Sequence, residues 1–274
     1  MAKIERLYNT KIIKSGERLE VYKYSCYIPE GKETKNKEGR RGKKEISKEQ
    51  KKINKINSRK QTLYNARNTI IRLISSNQDL QTFVTLTYKE NQQDIKLTKK
   101  HLNLFFKKLQ KKYEYLKYIY VFELQKRGAI HYHILLNLNA LDNQFNIKTA
   151  NNNQKKPMEQ KKLEIEFSKK YWKHGFIDIR NLREEGNTNI AKYVSAYLVS
   201  DLFEYDMQSN KIYGCSRNLN KPIVEKLETK DTIEELIELN NYDLKYVNHY
   251  QIFYRNKKNE EVTGNVNYFD YIKK

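Results

Sequence analysis

Apolar and β-branched residues run without a break through Phe83–Tyr88 (FVTLTY), which predicts a strand. The next stretch, from about Leu97 to Tyr113, carries Leu102, Phe105, Phe106 and Leu109 at helical spacing, with Lys107, Lys108, Lys111 and Lys112 between them on the outer side. Two further strands follow, Tyr118–Leu124 and Ala129–Leu136, and the short link Lys126-Arg127-Gly128 between them reads as a hairpin turn. A helix over Glu159–Trp172, a short strand Phe176–Ile179 and a helix over Thr188–Val199 complete this pattern. Upstream, residues Ser47–Ser76 read as a helix with Ser47 as N-cap and Gln50 closing a capping box. Its apolar side is Ile53, Ile56, Leu63, Ile70, Ile71 and Ile74. Gly31–Lys44 reads as a basic loop and 137–158 as an Asn/Gln/Lys-rich one. Past residue 200 only short strands are expected, at Ile223–Val224 and Gln251–Tyr254.

The order β-α-β-β-α-β-α predicts an α+β fold: a central antiparallel sheet with helices packed on one face, of the ferredoxin-like (RRM-like) kind. The corresponding division is a basic N-terminal extension with a helix over 1–76, a central domain over 77–224 and a C-terminal extension over 225–274. There is no internal repeat and no glycine-rich phosphate loop of the G-x-x-x-x-G-K-[ST] type, which excludes an ATPase of that class.

Charge narrows the partner. The 274 residues carry 54 Lys/Arg against 33 Asp/Glu, a formal net charge of +21. Residues 1–60 hold 19 Lys/Arg and 8 Asp/Glu, a net +11, so the basic character belongs to the earlier part of the chain. A polyanion, and nucleic acid first, is the expected partner. The 22 tyrosines fit either a biased proteome composition or a surface for base stacking. Cys26 and Cys215 form no motif and suggest a reducing compartment. The polar start (Ala2, Lys3, Ile4, Glu5) does not read as a signal peptide, and no run approaches 18 apolar residues. A cytoplasmic protein with no membrane partner is expected.

The chemistry sits in one segment. His131 and His133 are two apart on a strand and therefore share a face, opposite Ile130, Tyr132 and Ile134. Glu123 on the neighbouring strand can reach that face. Two imidazoles and a carboxylate make a metal site with open coordination positions. On the helix Thr188–Val199, Tyr193 and Tyr197 are four apart and lie on one side, next to a stripe of Ile190, Val194 and Leu198. Such tyrosines edge many packed helices, but this helix would set both phenols over the histidine face. A phenolate beside a divalent ion can attack a phosphodiester.

These segments resemble a known family. His131-Tyr132-His133 resembles the His-hydrophobic-His motif of the HUH endonuclease superfamily, and FVTLTY resembles the first motif of its rolling-circle replication initiators. AKYVSAYL resembles the motif that carries the nucleophilic tyrosine, and IYGCSRNLNKP resembles a segment that follows it in initiators of small phages and plasmids. The resemblance implies an HUH nuclease core with Glu123, His131 and His133 holding Mg²⁺ or Mn²⁺. It implies nicking of single-stranded DNA at a replication origin by Tyr193 or Tyr197, a 5′-phosphotyrosine, a free 3′-OH that primes synthesis, and later rejoining. Host helicase and polymerase would supply unwinding and copying. DNA contacts are expected from Lys107, Lys108, Lys111, Lys112, Lys126, Arg127 and Lys192. Many members carry a lysine three residues after the tyrosine; Ala196 and Ser200 stand there here, and Lys192 is the candidate replacement. The alternatives are a transposase or relaxase of the same superfamily, or a non-catalytic protein that binds single-stranded DNA or RNA by stacking.

Overall fold

The computed structural model of the chain describes residues 6–30, 47–125, 128–147, 155–182, 187–196, 213–237, 241–255 and 261–274. The chain divides into two compact units, residues 48–220 and the combination of 1–47 with 221–274. The sequence reading placed its boundaries after residues 76 and 224. The observed division instead assigns the long helix to the central unit and brings the two ends of the chain into one sheet.

The central unit contains α1 (Lys48–Ser75), β3 (Thr82–Tyr88), α2 (Ile95–Lys112), β4 (Tyr118–Leu124), β5 (Ile130–Leu136), α3 (Leu138–Leu141), α4 (Met158–Tyr171), β6 (Gly175–Asn181), α5 (Asn187–Ala196) and β7 (Tyr213–Cys215). Its sheet is antiparallel with strand order β6-β3-β5-β4-β7. The first four strands in that order are the interleaved arrangement of a ferredoxin-like β-α-β-β-α-β unit, and the α+β reading is borne out.

Each strand forms where the sequence pattern placed it, within a residue or two. The hairpin between β4 and β5 closes where Gly128 takes a positive φ of 82°, a conformation that costs a residue with a Cβ but not glycine. The N-terminus of α2 is capped by Asp94, whose carboxylate accepts from the backbone N–H groups of Lys96 and Leu97.

The central strand β5 is buried along its whole length, so both sheet faces are covered. This corrects the expectation of helices on one face only. On one face lie Ile130, Tyr132, Ile134 and Leu136 with the neighbouring Phe122, Tyr118, Val84 and Leu86. Helix α2 packs there: Phe106 stacks on Tyr118, and the Tyr132 hydroxyl donates to Thr98 Oγ1 at 2.9 Å. Phe105 of α2 in turn meets Phe167 of α4 and Trp172. The other face carries the histidines and is covered by α5 and the second half of α1. Phe83 of β3 meets Tyr193 of α5, α5 packs against α1, and Thr69 of α1 hydrogen-bonds Tyr213 of β7.

The other unit contains β1 (Leu7–Ser15), β2 (Arg18–Pro29), β8 (Ile223–Leu227), α6 (Ile233–Leu236), β9 (Tyr242–Arg255) and β10 (Glu261–Lys273). Its sheet order is β8-β1-β2-β10-β9. Ile12, Leu19, Val21, Tyr271 and Ile233 form a small core on one face. On the other face Tyr22 packs against Tyr268, Tyr8 against Tyr24, and Arg18 binds Asp270 through two nitrogens at 2.8 and 3.0 Å. Of this sheet the sequence reading held only the short pieces in β8 and β9.

Among the described residues, no helix is long and apolar enough to cross a membrane. Gly31–Lys44 lies outside the described residues.

Candidate metal and nicking site

Register decides which side chains meet. On the histidine face, His131 stands between Glu123 of β4 and Thr87 of β3, and His133 stands between Val121 and Thr85. The next rung outward on β6 adds Asp178 beside Thr85. The sequence expectation that Glu123, His131 and His133 share a face therefore agrees with the strand pairing.

Glu123 faces His131 in register, yet its carboxylate turns diagonally to His133: Oε2 lies 2.8 Å from Nε2. The other nitrogen of the same ring, Nδ1, lies 3.2 Å from Thr85 Oγ1. A hydroxyl both donates and accepts, so Thr85 can hold the ring in either tautomer. Both histidines are buried, at 8% and 5% exposure, while the Glu123 side chain remains 26% exposed. The hydrogen bond from His133 is the largest influence on Glu123 and holds its carboxyl below the usual carboxylate range; burial opposes it, and the charges of His133 and His131 add to it.

Among the described residues, no three His, Cys, Asp or Glu side chains stand in the geometry of a metal centre. Glu123 and His133 instead satisfy each other directly. The donor set still suits a hard divalent cation with nitrogen tolerance: one carboxylate and two imidazoles on one face of paired strands, with the His133 ring steadied from behind by Thr85.

Phe83 connects this cluster to α5. Its ring stacks on His133 at 5.7 Å, and meets Tyr193 edge-on at 5.2 Å. Ile190, Ala191 and Val194 are buried and anchor α5, which leaves Tyr193 at its rim, 42% exposed. Lys192 is exposed beside it. Tyr197 lies outside the described residues, as do Lys126 and Arg127.

The α2 lysines are not brought to the site. Lys107, Lys108 and Lys111 are exposed on a helix that packs on the opposite face of the sheet. Lys112 is held by the Tyr113 hydroxyl at 2.7 Å and by Asp142 at 3.1 Å.

Sequence reasoning missed Thr85, Phe83 and Asp178 as neighbours of the histidines. Thr85 was visible as the middle residue of FVTLTY, but its role needed the β3–β5 register, which spans 48 residues of chain.

Neither the curated proteins nor the solved structures contain a match to this chain. A family comparison does: residues 81–202 match the family model of the replication-associated protein ORF2, and this segment, with β3, β5 and α5 inside it, belongs to a rolling-circle replication-initiator family of the HUH endonuclease type.

Proposed function

We propose that the protein nicks and rejoins single-stranded DNA at a replication origin through a tyrosine–phosphate intermediate. The observation that carries this reading is the contiguous row Glu123–His133–Phe83–Tyr193, in which one aromatic ring touches both the histidine and the tyrosine. In this reading Glu123, His131 and His133 hold one Mg²⁺ or Mn²⁺. When bound, the ion polarises the scissile phosphate and offsets the charge that builds on its oxygens.

The chain's own residues do the rest. Glu123 and His133 exchange their mutual hydrogen bond for shared ligation, and Thr85 keeps the His133 ring from turning. Tyr193 or Tyr197 supplies the phenol oxygen. A new O–P bond forms to the 5′ side of the nick, the P–O3′ bond breaks, and the leaving oxygen takes up a proton as the phenol gives one to solvent. The 3′-OH then primes synthesis by a host polymerase, with a host helicase opening the duplex. Attack by a 3′-OH on the phosphotyrosine reverses the step and closes the strand.

Lys192, exposed beside Tyr193, suits a phosphate of the bound strand. The α2 lysines, across the sheet, would raise the protein's general attraction for DNA.

The test is cleavage of a labelled single strand carrying the cognate origin, with and without Mg²⁺ or Mn²⁺. A metal-dependent nick that leaves protein attached to the 5′ end supports the reading. Tight binding with no cleavage in either metal points instead to a non-catalytic DNA-binding protein.

A further inference from the structure

The first half of α1 stands clear of the core. From Lys48 to Thr62 no side chain is buried, and the first buried position is Leu63. At 1.5 Å per residue these 15 residues extend about 22 Å. They contain six Lys/Arg and one acid, Glu49.

Five of those cations fall on one side. At 100° per residue, Lys48, Lys51, Lys52, Lys55 and Arg59 lie within an arc of about 100°, while the opposite side is Gln50, Ile53, Asn54, Asn57 and Gln61. The cations are spaced three and four apart, so each is a surface neighbour of another, and like charges so placed weaken a helix. The chain therefore carries a line of positive charge at a cost to its own local stability. Neutralisation by a polyanion removes that cost.

The arc has a direction. In the second half of the helix the buried residues Leu63, Ala66, Ile70 and Leu73 centre within about 30° of the same line. That half lies over the histidine-bearing face, packed on α5 and bonded to Tyr213 of β7. The basic line is thus the straight continuation, beyond the folded body, of the side of α1 that looks onto the sheet carrying His131 and His133. A helix seated in a duplex groove meets phosphates on both flanks, whereas cations on one side suit one backbone.

We infer that Lys48, Lys51, Lys52, Lys55 and Arg59 form a phosphate track for the single strand that leads to or from the nicking site. The inference rests on the nicking reading for the strand's identity, but not for its test. The experiment measures binding of labelled oligo-dT of 8 and 30 nucleotides at several salt concentrations. It compares the wild type with a variant carrying Lys→Gln at 48, 51, 52 and 55 and Arg59→Gln, and circular dichroism checks that helix content is retained.

The salt dependence on the 30-mer should flatten by about 0.7 for each phosphate no longer engaged, about 3.5 in log–log slope if all five cations engage one. The 8-mer, filled by the site alone, should bind both proteins alike. In a third protein, Gln50→Lys, Asn54→Lys, Asn57→Lys and Gln61→Lys return charge to the opposite side of the variant's helix, and the slope should stay flat. Unchanged slopes on the 30-mer, equal losses on both lengths, or full recovery in the third protein would each overturn the inference. Wild-type nicking is measured in parallel, so a protein that shows the track effect without cleavage would sink the nicking reading alone.

Discussion

Glu123 hydrogen-bonds His133 at 2.8 Å, although the strand register sets it opposite His131. The diagonal reach puts the carboxylate between the two imidazoles. A single acid on β4 can then serve both histidines of β5, which is what a three-ligand site on two strands requires.

The first prediction follows from that geometry. His131→Ala, His133→Ala and Glu123→Gln should each lower metal-dependent nicking by about 100-fold or more, beyond the roughly 10–100-fold typical of outer-shell changes. Binding of single-stranded DNA should change little. Isothermal titration with Mn²⁺, paired with oligonucleotide binding, separates the two effects. Full activity in any of the three would remove that residue from the site.

Thr85 should behave as a positioning residue. Thr85→Val removes the hydroxyl beside His133 Nδ1 and should weaken Mn²⁺ affinity by about 10–100-fold, while Thr85→Ser should restore most of it. A purely structural role would make the two variants differ in melting temperature but not in metal affinity.

Phe83 carries both fold and site. It is buried, at 2% exposure, between His133 and Tyr193. Phe83→Ala should cost about 3–5 kcal/mol of stability. Phe83→Leu keeps most of the volume, so a marginal change in denaturant midpoint together with a clear loss of nicking would show that the ring aligns the tyrosine.

A separate pH effect comes from the helix-bearing face. His101 and His174 stack at 3.6 Å, and both pKa values are lowered, first by burial and then by nearby positive charge: Lys100 for His101, and His101 and Lys108 for His174. Below the ordinary histidine pKa of about 6.5 the unfolded chain binds these protons more readily than the folded one. The stability they allow is therefore complete above about pH 6.5 and is lost as pH falls through the lower folded values. Melting temperature should drop between about pH 7 and pH 5, and less so in His174→Gln. An equal drop in that variant would assign the effect elsewhere.

The β3-to-α5 unit was legible because its buried positions keep one period at a time: FVTLTY and IHYHILL extended, Leu102 to Leu109 helical. The hairpin that pairs Glu123 with His131 was legible too, because Gly128 and a short link fix a local register. The second sheet was not. Its pairings join residues some 200 or more apart, such as Ile12 with Glu225 and Tyr22 with Tyr268. Its outer face also carries tyrosines where alternation would need polar residues. In α1 the periodicity was visible, but Ile53 and Ile56, read as core, are exposed at 45% and 46% because the helix outruns the body it packs on. The diagonal turn of Glu123 depends on side-chain torsions, which strand periodicity does not encode.

Nicking by a tyrosine of the α5 segment is tested decisively by trapping the protein on a single-stranded oligonucleotide that cannot be religated, in Mn²⁺, and mapping the modified peptide by mass spectrometry. A metal-dependent covalent adduct is expected on Tyr193 or Tyr197, reduced in each single Tyr→Phe variant and absent when both are changed. An adduct on any other residue, or undiminished nicking by the double variant, would contradict the tyrosine mechanism.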